Sequence, residues 1–226
     1  MDRVIQDLPV WWRVRRRKDR WRSAGILSAE RFQSSLPWLL YMFYFYIGKC
    51  PHYKDLSVII EAIDHADVLI LSSPVYVYHA TGAMMDFLDH FGTWWVVHRP
   101  KPQMAHKQAV IVTTAAGGGM KRTARDMEDS LSMWGIHRVE KICVGAQATK
   151  PYEIPAAIRK QIEKKTDRVA ERIVSHAGSI GTNHRFQMWF NIVKLMHSLM
   201  PGDTPDYHWW ENHGWHGDQR PWKSEI

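Results

Sequence analysis

Two short apolar runs constrain the fold of this chain more than any other feature. The first covers residues 66–76 (ADVLILSSPVY) and the second covers residues 109–119 (AVIVTTAAGGG). Both end abruptly in small, turn-forming residues. Continuous apolar runs of this length are typical of strands buried on both faces of a parallel sheet. Because open α/β sheets bind ligands beyond the carboxyl ends of such strands, the two runs predict one small-molecule site built from two loops.

Helical and strand patterns alternate from residue 55 onward. We expect a first helix that Asp55 caps and whose apolar positions run from Leu56 to Ile63. Further helices are expected at 81–91, 121–134 and 155–176, and strands at 68–71, 109–113 and 139–144. Gly135 stands where a helix usually ends in glycine. This order predicts the second half of a doubly wound α/β fold. We expect three regions: a divergent segment 1–48, a core 49–178 and a C-terminal arm 179–226.

The two flanking regions differ from the core in composition. Residues 1–48 carry nine Lys/Arg and four Asp/Glu, which is a net +5 of the chain's +7. A solvated basic tail is favoured over binding to phosphate backbones or anionic lipid. The apolar run at 36–47 is too short to span a bilayer. The arm is expected to be one apolar helix followed by a loop at 203–226, and to dock on its own body or on a second subunit.

The cysteines, the histidines of the tail and the paired aspartates give little indication of a catalytic or metal site. Cys50 and Cys143 form neither a CxxC motif nor a disulfide framework, which suits a reducing, cytoplasmic compartment. The histidines of the tail lack regular metal-ligand spacing, so no metal site is expected. Asp86 and Asp89 share one helical turn, and we interpret them as a pair on the helix surface rather than as catalytic carboxylates. No obvious catalytic triad stands out among these residues.

Several motifs occur together in the order of a known family. The chain has Ala66-Asp67 before the first run, Ser73-Pro-Val-Tyr76 after it, Phe87-Leu-Asp89 on the next helix and Thr113-Thr114 leading into the glycines. Cys50-Pro51 and the tail element at 206–215 also match. These residues resemble the flavodoxin-like NAD(P)H-dependent FMN reductases, including the iron–sulfur flavoprotein branch.

The resemblance implies a flavodoxin-like α/β fold with FMN and NAD(P)H as cofactors. It implies that hydride passes through FMN to a quinone, a flavin or a similar small acceptor. Because the cofactor supplies the chemistry, the resemblance implies no catalytic acid, base or nucleophile. The implied partners are this acceptor and further copies of the chain in a homodimer or homotetramer, without nucleic acid or membrane. The implied flavin contacts are Ser73, Pro74, Val75, Tyr76, Tyr78, Thr114, Ala115, Ala116, Gly117, Gly118 and Gly119.

Two family features are missing from the sequence. The family holds the FMN phosphate in a loop rich in Ser, Thr, Gly and Arg near the N-terminus, and residues 1–48 show no such loop. Cys50 alone cannot hold an iron–sulfur cluster that needs four thiolates. The alternative to an oxidoreductase is therefore a non-catalytic flavodoxin-like scaffold that has lost the phosphate loop.

Overall fold

A three-stranded parallel sheet organises the molecule. The computed structural model describes the backbone of residues 13–15 and 21–23, Gly48, and residues 50–223 except Thr149. Two short strands near the N-terminus pair antiparallel, and the three later strands form the parallel sheet in the order β3-β4-β5. The strands are β1 (Arg13–Arg15), β2 (Trp21–Ser23), β3 (Val68–Pro74), β4 (Gln108–Ala115) and β5 (Arg138–Gly145).

Helices connect the parallel strands and cover both faces of the sheet, which confirms the predicted α/β class. The helices are α1 (Tyr53–His65), α2 (Gly82–His90), α3 (Met120–Trp134), α4 (Ala156–Ser175), α5 (His184–Leu199) and α6 (Pro205–Asn212). No helix in the described part of the chain has the length and apolarity needed to cross a bilayer. The predicted segment 1–48 falls almost entirely outside the described residues, and the three region boundaries stay predictions.

Strand alternation divides the core between the two faces. On one face, Leu69, Leu71 and Ile111 pack with the buried sides of α1, α2 and α3. On the other face, Val110 and Ile142 pack with the buried side of α4. Since successive side chains of a strand point to opposite faces, a strand covered on both faces must be apolar throughout. This explains the continuous apolar runs.

The amino end of α1 differs from the expectation. Asp55 does not cap the helix, because α1 begins at Tyr53 with His52 in the N-cap position. The chain turns earlier, where the Tyr53 amide donates to the Cys50 carbonyl oxygen at 3.0 Å. Asp55 therefore lies in the first turn, where its negative charge interacts favourably with the helix dipole. The predicted glycine end of α3 is present, since Gly135 adopts a left-handed conformation with φ of 105°.

The C-terminal arm folds back on its own body. Phe186, Phe190 and Val193 of α5 form a third buried cluster with Trp210 and Trp215. The Trp210 indole donates to the carbonyl oxygen of His98 at 2.8 Å, and the Trp209 indole donates to that of Pro100 at 3.1 Å. These bonds attach the arm to the loop that precedes β4.

The expectation of a loop over residues 203–226 was wrong, because α6 lies within it. Thr204 caps this helix by accepting a hydrogen bond from the Tyr207 amide at 3.2 Å, and Pro205 occupies the first helical position. Proline is favoured there because its missing N–H would have no partner in the helix. The burial of Trp210 then stabilises a helix too short to form alone.

Candidate functional site

The carboxyl ends of β3 and β4 lie side by side and form the base of the candidate site. In the sheet register Pro74 stands opposite Thr114. The Val75 amide then donates to the Thr114 carbonyl oxygen at 3.0 Å, which extends the pairing one step beyond β3. The two predicted loops are thus joined by the backbone itself. Their residues face a common edge, as the sequence predicts.

A tight turn shapes the loop after β3. The amide and carbonyl of Tyr76 exchange hydrogen bonds with those of His79, at 3.0 and 2.9 Å. The two residues between them, Val77 and Tyr78, have positive φ angles of 49° and 65°. A two-residue turn of this kind favours Asn-Gly, because a β-branched residue is strained in the left-handed region. Val77 is nevertheless 91% exposed, so no packing of its side chain offsets the strain.

The glycine loop lies against this turn. Gly119 has φ of 96°, and a Cβ atom placed on it would stand 2.8 Å from Val75 Cγ1 and 3.2 Å from Tyr78 Cδ1. Glycine is therefore required at this position for two reasons, the backbone conformation and the close approach of the first loop. A Cβ on Gly118 would stand 3.9 Å from the Tyr78 hydroxyl, and one on Gly117 would meet nothing within 4 Å. The loop is tight at one end and open at the other.

Buried polar side chains hold the first loop in place. Ser73, which is almost fully buried, accepts a hydrogen bond from the Thr81 amide at 3.1 Å and donates to the Pro74 carbonyl at 3.0 Å. Asp126 of α3 accepts from the Ala80 amide at 3.0 Å and lies 3.4 Å from the His79 imidazole. The loop is therefore braced at both ends before any ligand binds.

The predicted site residues fall into two groups by accessibility. The side chain of Ser73 is buried and serves the loop, so it does not face the open side of the site. The other predicted residues are partly or fully accessible. These are Pro74, Val75, Tyr76, Tyr78, Thr114, Ala115, Ala116, Gly117, Gly118 and Gly119.

Sequence reasoning missed two contributors to this edge. The loop after β5 joins the site, because the Ala146 amide donates to the Ala115 carbonyl oxygen at 2.8 Å and Gln147 has a positive φ of 50°. Its position after the third strand of the same sheet was the signal that could have found it. Asp126 is the second contributor, and no local pattern marks it, since it reaches the loop from 46 residues away.

Burial perturbs one cysteine and one carboxyl group near α2. Burial raises the pKa of the Cys50 thiol, and the negative charge of Asp86 adds to this, while a hydrogen bond from the His52 amide opposes it. A protonated thiol is a poor nucleophile and a poor metal ligand. Burial also raises the pKa of Asp89, with a further contribution from Asp86, while His90 opposes it.

Comparison with known proteins identifies the family. The family model described as NADPH-dependent FMN reductase matches residues 32–150, which is just over half of the chain. The iron-sulfur flavoprotein of Archaeoglobus fulgidus is 24% identical over 167 residues, or 74% of each chain. The apo form of an NADH:FMN oxidoreductase is 20% identical, with a TM-score of 0.43, and the match covers 57% of this chain and 66% of that one. The chain belongs to the NADPH-dependent FMN reductase family, and is an oxidoreductase that uses FMN with NAD(P)H.

Proposed function

We propose that this protein passes hydride from NAD(P)H through FMN to a quinone, a flavin or a similar small acceptor. The observation that carries the proposal is the joined pair of loops at the carboxyl edge of the sheet. One loop presents two exposed tyrosines, Tyr76 and Tyr78, and the other presents the glycines at 117–119. An aromatic surface beside a backbone without side chains suits a flat, partly polar ring.

The hydrogen-bonding capacity of the loops fits the flavin ring. The amides of Val77, Tyr78, Gly117 and Gly118 make no hydrogen bond to another described residue. The flavin ring carries carbonyl oxygens and ring nitrogens that need such donors. The start of α3 adds a helix N-terminus, which favours negative charge on a reduced ring.

Each predicted residue has a role in this proposal. Tyr76 and Tyr78 cover one face of the ring, and the glycine loop lets the backbone approach its edge. Val75 and Tyr78 both lie against Gly119, so they present the first loop to the glycine loop, while Ser73 and Pro74 set the direction of the first loop. Bound FMN supplies the hydride-transfer chemistry, so the protein has only to bind the ring, orient it and limit access of water. The remaining contacts come from Thr114, Ala115 and Ala116 at the end of β4.

The FMN phosphate needs a separate binding element. The family's phosphate loop precedes the part of the sheet that the structure describes, and the family match begins at residue 32. A phosphate held by several loop amides contributes strongly to the binding free energy of FMN, since each hydrogen bond to a charged group contributes about 1.5–3 kcal/mol. The ratio of the affinity for FMN to the affinity for riboflavin, which lacks the phosphate, therefore measures whether this chain binds the phosphate group.

The test is a flavin titration of the purified chain. We expect FMN fluorescence to be quenched on binding, the flavin absorbance to bleach on addition of NAD(P)H, and the colour to return with a quinone. Tyr78→Ala should weaken binding of FMN and riboflavin by the same factor, because both carry the same ring. A chain that binds neither flavin and does not oxidise NAD(P)H with added FMN would refute the proposal and support the scaffold alternative.

We also propose that the protein acts in the cytoplasm as a homo-oligomer. Two cysteines without a disulfide partner support a reducing compartment, because both Cys50 and Cys143 are free thiols. Sedimentation of the purified chain tests the oligomer, and fractionation of the source cells tests the compartment.

A further inference from the structure

A basic cavity opens at the free edge of β5, between α3 on one face of the sheet and α4 on the other. Its volume is about 400 Å³. Small-molecule sites usually enclose roughly 300–1,000 Å³. In the described part of the chain β5 pairs with β4 alone, so its outer side is open. The residues that line the cavity are Lys121, Arg125 and Glu128 of α3, Lys141 and Cys143 of β5, and Lys165 of α4.

The basic cavity carries a surplus of positive charge, since four of its lining residues are cations and one is a carboxylate. Two of the cations are engaged within the chain. The Lys141 ammonium donates to both carboxylate oxygens of Glu128 at 2.7 Å, and the Lys165 ammonium donates to the Cys143 carbonyl oxygen at 2.9 Å. Lysines at a sheet edge discourage pairing with a further strand. Edge protection therefore accounts for these two lysines, but it does not require the other two cations.

Lys121 and Arg125 are the cations that the chain leaves uncompensated. No hydrogen bond or ion pair joins either side chain to another residue in the part of the chain that the structure describes. They stand four positions apart on α3, so their charges are neighbours and repel each other. Glu128, the acidic residue of the cavity, is engaged by Lys141. Two uncompensated cations that share a recess attract anions, because its low-dielectric walls focus their field.

The basic cavity begins close to the glycine loop and extends away from it. The carboxyl end of β5 touches this loop, since a Cβ atom placed on Gly145 would stand 3.5 Å from the Gly117 carbonyl oxygen. The strand from Gly145 back to Lys141 then spans roughly 13 Å. None of the lining residues belongs to the two loops of the candidate site. A ligand in the cavity would therefore lie beside a ring bound between the loops without displacing it.

We propose that the basic cavity binds the phosphate monoester group of a small molecule. Such a group carries a charge of about −1.5 to −2 at pH 7 and three acceptor oxygens, so it matches the two uncompensated cations. The planar guanidinium of Arg125 can donate two parallel hydrogen bonds to phosphate, and the Lys121 ammonium adds a point charge. Glu128 repels an anion from the other end of the cavity, which directs the phosphate towards Lys121.

The same chemistry occurs in free phosphate and in phosphorylated nucleosides such as adenosine 2′-monophosphate, which is the phosphate-bearing end of NADPH. A cavity of about 400 Å³ has room for more than inorganic phosphate. The inference does not rest on the proposed function, because the cations of the cavity bind phosphate whether or not the chain transfers hydride. Its failure would leave the result of the flavin titration unchanged.

Isothermal titration calorimetry of the full chain at low salt, without added flavin, tests the proposal. The probes are inorganic phosphate, adenosine 2′-monophosphate and, as the uncharged control, adenosine. Tighter binding of the nucleotide than of phosphate would identify a nucleoside as the carrier, and equal binding would identify free phosphate. Either result supports the site if adenosine itself does not bind. Adenosine that binds as tightly as its monophosphate, or no binding of either phosphate probe in the millimolar range, would overturn the proposal.

Variants test whether the phosphate binds in the cavity. Lys121→Gln and Arg125→Gln should each raise the Kd of the tighter probe about 10-fold, the lower end for the loss of one hydrogen bond to a charged group. Arg125→Lys should recover only part of the affinity, because it restores the charge without the planar fork. The matched control is Lys54→Gln on α1, an exposed lysine outside the cavity, which should leave the Kd unchanged. Equal Kd values for Lys121→Gln and Lys54→Gln would overturn the assignment.

Cys143 allows a measurement that needs no variant. Its thiol is free and partly accessible in the cavity, whereas Cys50 is buried. Saturating amounts of the tighter phosphate probe should slow the alkylation of Cys143 by iodoacetamide, measured by peptide mass spectrometry with Cys50 as the internal reference. Adenosine should not slow it. An alkylation rate of Cys143 that the bound probe leaves unchanged would place the phosphate elsewhere and overturn the proposal.

Discussion

Replacing Gly119 with alanine places a methyl group in the junction of the two loops. The residue would keep a φ near 96°, which costs a non-glycine residue about 1–2 kcal/mol. The new Cβ would also stand 2.8 Å from Val75 Cγ1 and 3.4 Å from the Tyr78 Cα, so the braced first loop must move. Overpacking of this kind costs about 1–3 kcal/mol. We expect Gly119→Ala to lower the free energy of unfolding by about 2–5 kcal/mol.

Gly117→Ala is the matched control, because its Cβ would meet nothing within 4 Å and its φ needs no glycine. Thermal unfolding should show a Tm lower by roughly 5–15 °C for Gly119→Ala, at about 2–4 °C per kcal/mol for a chain of this size. Gly117→Ala should change the Tm by less than about 2 °C. FMN affinity should fall more in Gly119→Ala, because the loop that presents Tyr78 is displaced. Equal Tm values for the two variants would refute the assigned packing of the glycine loop.

Three further measurements test other parts of the structure. Val77→Asn should raise the Tm by roughly 2–4 °C, since Asn tolerates the left-handed turn and no packing is lost, and an unchanged Tm would argue against the strain. Trp210→Ala should lower the free energy of unfolding by about 3–5 kcal/mol in denaturant unfolding, because the indole is fully buried and donates a hydrogen bond to His98. A loss below about 1 kcal/mol would mean that the arm does not pack on the core. Burial lowers the pKa of His197, and the charge of His216 lowers it further. The imidazole of His197 therefore binds a proton more readily in the unfolded chain than in the folded one. Stability should therefore fall as the pH drops below about 6.5, and His197→Gln should flatten that dependence; an equal slope would contradict it.

The spacing of apolar residues along the chain predicted most helices and strands of the core, because the sequence of each element carries its own pattern. The apolar runs at β3 and β4 follow from burial on both faces, and the end of α3 follows from the backbone freedom of Gly135. These features depend only on neighbouring residues. The parallel sheet and the meeting of the two loops could therefore be predicted from the sequence.

The details of the site depended on contacts between distant residues, which the sequence alone does not reveal. Val77-Tyr78 lacks the Asn-Gly signature of a two-residue turn, and the turn forms because Tyr76 and His79 are held by β3 and by Asp126. Helix α6 was missed because its many aromatic residues hide the helical period. Thr204-Pro205 was nevertheless a usable start signal.

The docking of the arm also has a consequence for synthesis of the chain on the ribosome. Val96 and Met133 belong to the core domain, but their buried surroundings come from α5 and α6, which emerge later. At roughly 5–20 residues per second, the 32 residues from 184 to 215 take roughly 2–6 s to be made. During that interval the nascent sheet carries an uncovered apolar surface near the loop before β4. We expect this interval to be when the protein is most exposed to aggregation and most dependent on chaperones.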